Sequence, residues 1–169
     1  LDMVNAIQSA FAANLPEIDW LDQSTRTAAV GKLQAIVNKI GFPDKWQEYD
    51  ALDVFRSSFF RNSLASNVFQ NQKDLARIGK VTDRSRWHMP PQQVNAYYNR
   101  SLNEIVFPAG ILQAPFFSPG ASMAENWGAI GMVIGHEITH GFDDEGSQFD
   151  GPANLNMWWS PQVRDIFEK

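Results

Sequence analysis

The sequence predicts a mainly α chain with a small β-hairpin or edge sheet, an α+β fold. Three features point to it: apolar residues recur every three or four positions through the first half, two short strand-forming segments lie between prolines, and a late apolar run follows a helix-capping signal. In the first segment Val4, Ile7, Phe11 and Leu15 step along one helix face until Pro16. A second helix begins after the Asp22 to Thr25 cluster of N-cap candidates and carries Ala29, Leu33, Ile36, Val37 and Ile40 before Gly41-Phe42-Pro43 ends it. From about Leu52 to Ile78, helical spacing returns in Phe55, Phe59, Val68, Phe69, Leu75 and Ile78, which reads as a long or broken helix whose apolar stripe is core.

The texture changes at Trp87. Val94 to Tyr98 and Glu104 to Phe107 are rich in strand formers and flank Asn99-Arg100-Ser101-Leu102-Asn103, so they read as a hairpin. Pro90, Pro91 and Pro108 place these strands near a sheet edge, because proline cannot donate to a central ladder. Ser122 with Glu125 three residues on forms a capping box, and the helix it opens is read as running to about Gly141. Gly128, Gly131 and Gly135 each weaken that helix by about 1 kcal/mol relative to alanine, so it must be buried to persist. Close packing accounts for Gly128 and Gly131, and room for a ligand beside the next residue accounts for Gly135. The organisation expected is a helical segment, 1–86, leading into a unit at 87–169 that holds the hairpin and the late helix.

Composition removes several classes of function. With 44% hydrophobic and 20% charged residues, the 169-residue chain can bury a core and is not a disordered one. A net charge of -5 gives no field for phosphates, so no nucleic-acid partner is expected. The apolar runs are too short for a membrane span, and no leader-like segment opens the chain. There is no cysteine, so any metal must be held by histidine and carboxylates.

The late helix carries His136-Glu137-Ile138-Thr139-His140. At 3.6 residues per turn the two histidines lie roughly 40° apart about the axis and one turn apart along it, so both imidazoles can grip one ion. A zinc ion held by two neutral histidine nitrogens keeps positions for a third ligand and for a water, whose pKa it lowers toward ~7. Glu137, on the flank of the same face, is placed to take that water's proton as a general base. Two surface histidines beside a solvated glutamate are the bland alternative. The apolar Met132-Val133-Ile134 leading into the motif argues against it. His88 stands before Pro90-Pro91, far along the chain from the helix, and reads as polar surface.

Three stretches carry a resemblance. Val94-Asn95-Ala96-Tyr97-Tyr98-Asn99, the run from Ile105 to Gln113, and the run from Gly131 to Asp144 around the histidine motif are similar, in order and spacing, to the neprilysin family of zinc endopeptidases. Trp158-Trp159, Ile18-Asp19-Trp20 and Asn38-Lys39-Ile40-Gly41-Phe42-Pro43 extend it over nearly the whole chain. The resemblance implies a thermolysin-like zinc helix in an incomplete catalytic domain and one zinc ion bound by His136 and His140. It further implies Glu137 as general base, and Asn95 and Ala96 as the edge that hydrogen-bonds a peptide substrate by β-augmentation. It places Ile111, Phe116, Met132 and Val133 around a pocket for an apolar residue after the scissile bond.

Two departures accompany the resemblance. The family takes its third zinc ligand from a glutamate several tens of residues beyond the second histidine, with a later histidine and arginine to hold the substrate; this chain stops at Lys169. The chain is therefore expected to be a truncated piece, inactive alone, whose partner is the remainder of the catalytic domain. Ala153 also stands where the family commonly has a glycine before its Asn-Leu pair. Absence of cysteine favours a bacterial secreted or periplasmic setting, with a cytoplasmic one also open. The alternatives are a non-catalytic module that binds a peptide or partner and keeps the helix as scaffold, and a metal-dependent hydrolase acting on another substrate.

Overall fold

A computed structural model describes residues Leu1–Lys169. They divide into two compact units, one formed by Leu1–Phe42 with Trp87–Lys169, the other by Pro43–Arg86.

The first unit opens with α1, Asp2–Asn14, followed by a 3-10 turn at Leu15–Glu17. Val4 and Leu15 are buried and Ile7 and Phe11 pack partly against the core, the face that the spacing predicts. Helix α2 spans Gln23–Gln34 and is capped by Asp22, whose carboxylate accepts from the Thr25 amide at 2.7 Å. Hydrogen bonds from Ser160, from that Thr25 amide and from Ser24 hold the Asp22 carboxyl well below the usual range.

The spacing of apolar residues predicts that this helix continues to Ile40, and in the structure it does not. The helix stops at Gln34, and Val37–Gly41 is a strand, β1. Its partner is β3, Glu104–Pro108, which it meets in parallel register from Val37 opposite Glu104 to Gly41 opposite Pro108. Residues four apart share a face in a helix and in extended chain alike, so Ile36 and Ile40 fit either, and the distant partner decides between them.

Strand β2, Tyr97–Asn99, pairs antiparallel with β3, Tyr97 facing Val106 and Asn99 facing Glu104. The hairpin is therefore present, with its first strand starting later than Val94. The sheet order is β1-β3-β2, so β3 is central rather than at an edge. Pro108 is tolerated there because it is the last residue of the strand, and the next amide, of Ala109, donates to Gly41. β2 keeps one free edge.

The capping box is formed in full: Ser122 accepts from the Glu125 amide, and Glu125 accepts from the Ser122 amide at 2.8 Å. The helix it opens is built in three pieces rather than one: α4, Met123–Asn126; a π-helical stretch, Trp127–Gly131; and α5, Met132–Thr139. Gly131 is the crowded one at the wide turn, since a Cβ there would stand 3.1 Å from the Trp127 ring. Gly128 and Gly135 have nothing within 4 Å of such a Cβ, so close packing explains Gly131 and not Gly128.

Ile134 and Ile138 of α5 join Val4, Ile105, Phe107 and Ile130 in one core. Each such side chain contributes about 1.5–3 kcal/mol on burial, which offsets the glycine cost. The core thus fixes one face of α5 and leaves the histidine face free. A short final helix, α6, spans Pro161–Phe167 and is capped by Ser160. No helix is long and apolar enough to cross a membrane.

The second unit contains α3, Phe59–Leu75, capped by Ser58 and preceded by a loop in which Asn62 bonds both the amide and the carbonyl of Phe55. No residue of α3 is buried, and Phe59 is 89% exposed. The apolar residues predicted as a core stripe do not share one face: Phe59 and Val68 lie roughly 180° apart about the helix axis, while Phe69 packs on the Tyr49 ring of the preceding loop.

Candidate functional site

Helix α5 presents His136 and His140 outward while Glu137, only 5% exposed, faces inward. The two Nε2 atoms stand 3.0 Å apart, with the rings nearly perpendicular. Two nitrogens each ~2.05 Å from a tetrahedral ion stand roughly 3.3 Å apart, so the pair already points at one position. His140 Nδ1 pairs with Asp143 Oδ2 at 2.9 Å, which selects the Nδ1–H tautomer and turns the Nε2 lone pair toward His136. Burial raises the Glu137 carboxyl above its ordinary range; the adjacent imidazoles and the Tyr98 amide oppose that shift. By donor chemistry and spacing the two histidines fit a zinc ion. No group of three histidine or carboxylate side chains able to hold a metal is present, however.

A cleft of about 520 Å³ opens over this helix, lined by His136, Glu137 and His140 together with Asn95, Ala96 and Tyr98. The sheet therefore brings its free edge to the histidines. Asn95 is exposed and its Oδ1 accepts from the Ala96 amide at 2.9 Å, while Ala96 is buried against the core. Of the four residues expected around an apolar pocket, Ile111 is buried in the core, and Phe116 and Val133 pack partly against it. Met132 is 64% exposed. None of the four lines the cleft.

The structure adds residues to which the sequence patterns assign no role in the site. His88 lines the same cleft, its backbone amide donating to Tyr97 Oη at 2.9 Å and its ring edge-on to Tyr97. Distance along the chain says nothing of such a placement. Arg100, from the hairpin loop, forms an ion pair with Glu145 at the cleft wall. Asp143 is visible in sequence only as the third residue after His140, and its role emerges from the bond to Nδ1.

A helix bearing two convergent imidazoles and a buried carboxylate, set against the free edge of a small mixed sheet, is the kind of zinc helix that the sequence predicts. Comparison with known proteins agrees. Two models described as peptidase family M13 match residues 95–169 and 1–43. Among curated relatives, an endothelin-converting enzyme homolog of Locusta migratoria is 42% identical over 99% of this chain and 24% of its own length. A neutral endopeptidase of Lactococcus lactis is 43% identical over 99% of this chain and 27% of its own. The crystal structure of the Mycobacterium tuberculosis zinc metalloprotease ZMP1 superposes with a TM-score of 0.93 at 44% identity, over 99% of this chain and 25% of that one. The chain belongs to peptidase family M13, the neprilysin family, and spans about a quarter of the length of the relatives it matches.

Proposed function

We propose that the protein is a zinc-dependent endopeptidase acting on oligopeptides, with His136 and His140 as metal ligands and Glu137 as general base. The observation that carries this reading is the convergence of the two Nε2 atoms beside a buried carboxylate in a cleft bordered by an unpaired strand edge. Zinc, when bound, supplies Lewis acidity toward the scissile carbonyl and acidity to water near neutral pH. Glu137 receives the proton of the attacking water and passes it to the leaving amine, and its burial keeps it basic enough to do so. The segment Asn95-Ala96 and the edge of β2 hold the substrate backbone by main-chain hydrogen bonds, which require no charged side chain on the peptide and demand an extended, unfolded one. For Asn95 this requires its amide to swing from the Ala96 N–H toward the ligand.

The preference proposed for the residue after the scissile bond is apolar, with Ile111, Phe116, Met132 and Val133 as its surroundings. Support comes from Ile111, Phe116 and Val133, which lie in or beside the core that underlies α5, while Met132 stands exposed on the helix next to Val133. These 169 residues supply two ligands, and Asp143 and Glu145 are engaged elsewhere. The chain by itself is therefore proposed to hold zinc weakly and to turn over slowly or not at all, the remainder of a catalytic domain completing the site. The same gap is what favours the rival reading of a non-catalytic peptide-binding module.

Metal content separates these. Elemental analysis of a zinc-replete protein carrying the rest of the domain, beside its His136→Ala control, should give zinc that the control lacks. Cleavage of quenched fluorescent peptides differing only in Leu or Asp after the scissile bond should favour Leu. Equal metal in both proteins would overturn the ligand assignment. Peptide binding with no cleavage by a zinc-replete protein carrying the rest of the domain would establish the module instead.

A further inference from the structure

Lys32 lies in the last turn of α2, 1% exposed, with its charged end inside the protein. An ammonium is expensive to bury, and a methionine would fill the same space without that cost. Its Nζ donates to two backbone carbonyls, those of Gly146 and Phe149, each at 2.6 Å. The rings of Trp158, Tyr98 and Phe142 surround it at 5.4 to 6.0 Å. Desolvation pushes the amine down to about 8, with Asp143 and Asp150 opposing. Both carbonyls belong to the segment after His140. In that segment the Gly146 amide donates to Asp143 Oδ1 at 2.7 Å, while Asp143 Oδ2 meets His140 Nδ1 at 2.9 Å. The Gly146 carbonyl also accepts from Trp158 Nε1 at 3.1 Å. The fit is close: a Cβ on Gly146 would stand 2.2 Å from the His140 carbonyl oxygen.

We infer that Lys32 is a positioning residue for the histidine site: it pins the Gly146–Gln148 turn, the turn orients Asp143, and Asp143 holds His140 with Nδ1 protonated and Nε2 open to a metal ion. The inference rests on the zinc-peptidase reading for its purpose, but its geometry is tested without metal. Long-range proton–nitrogen NMR correlations report the tautomer of His140 directly in the metal-free protein. The wild type should show Nδ1–H. Lys32→Met should shift His140 toward a mixture with Nε2–H and weaken zinc binding about tenfold or more.

A purely structural loss is distinguished by Ala29→Gly in the same helix, which should lower the unfolding midpoint and leave the tautomer alone. If Lys32→Met does not fold, Trp158→Phe removes the second donor to the same carbonyl while keeping a ring, and should move the tautomer in the same direction by less. A folded Lys32→Met with wild-type His140, or an unaltered tautomer in Trp158→Phe when Lys32→Met is unfolded, overturns the inference. Loss of the zinc reading alone would appear as equal zinc affinity in wild type and His136→Ala, with the tautomer shift still present.

Discussion

His140 and Asp143 are joined through Nδ1 and Oδ2 at 2.9 Å, on the side of the imidazole away from His136. The carboxylate sits on the far side of the ring from the position between the two Nε2 atoms, and its effect is to set the ring's tautomer. Asp143→Ala should therefore lower zinc affinity by about 10- to 100-fold without removing a ligand. Competition with a chromogenic chelator measures this. Affinity equal to wild type would mean that the carboxylate plays no part in the metal site.

Glu137 differs from the histidines in facing inward, buried beside Ile138 while they face the cleft. It can reach a water in the cleft, which it helps to line, without being required to hold metal. Glu137→Gln keeps the shape and removes the base. In a zinc-replete protein with a complete site it should retain metal stoichiometry and lose about 10²- to 10⁴-fold in turnover. Full activity in that variant would exclude Glu137 as the base and favour a different proton acceptor.

The histidine motif is legible in the sequence because its geometry is local: spacing along one helix fixes the placement of both imidazoles and the carboxylate. The capping box at Ser122 and Glu125 is legible for the same reason. Val37–Gly41 is not, because a strand is decided by its partner, and β3 lies far along the chain. The apolar residues of α3 do not form the predicted core stripe, because Phe59 and Val68 fall on opposite sides of the helix and the gaps between them do not keep helical phase. Lys32 is invisible in the sequence for a further reason. Its partners are backbone carbonyls, to which residue identity gives no clue.

Ala153 has φ 74, in the left-handed region, at the turn where its amide donates to the Asp150 carbonyl at 2.9 Å and Phe149 bridges Leu155. A Cβ in this region costs about 1–2 kcal/mol, which glycine avoids, against a smaller loss of unfolded-state restriction. Ala153→Gly should stabilise the protein by about 1 kcal/mol, raising the thermal midpoint by about 2–4 °C for a chain of this size. A lower midpoint would show that the turn relaxes in solution to a conformation alanine accepts.

The buried amine of Lys32 gives stability a pH dependence with a defined sign. Its pKa is about 8 folded against 10.5 as the ordinary value, so between these the unfolded chain carries more protons than the folded one. Stability conferred at this position therefore rises as pH increases from 8 toward 10.5, and the cost of burying the charge is felt in full below 8. Asp143 and Asp150 face the amine and moderate the effect. Tyr98, also beside it, is raised by burial and acts in the opposite direction, but only as pH approaches and passes its ordinary value of 10. Urea unfolding of wild type and Lys32→Met at pH 7 and pH 9.5 isolates the lysine. The wild type should gain relative to the variant by about 1–2 kcal/mol across that interval. A constant difference would mean that the amine titrates in the fold as it does in the unfolded chain, and that water reaches it.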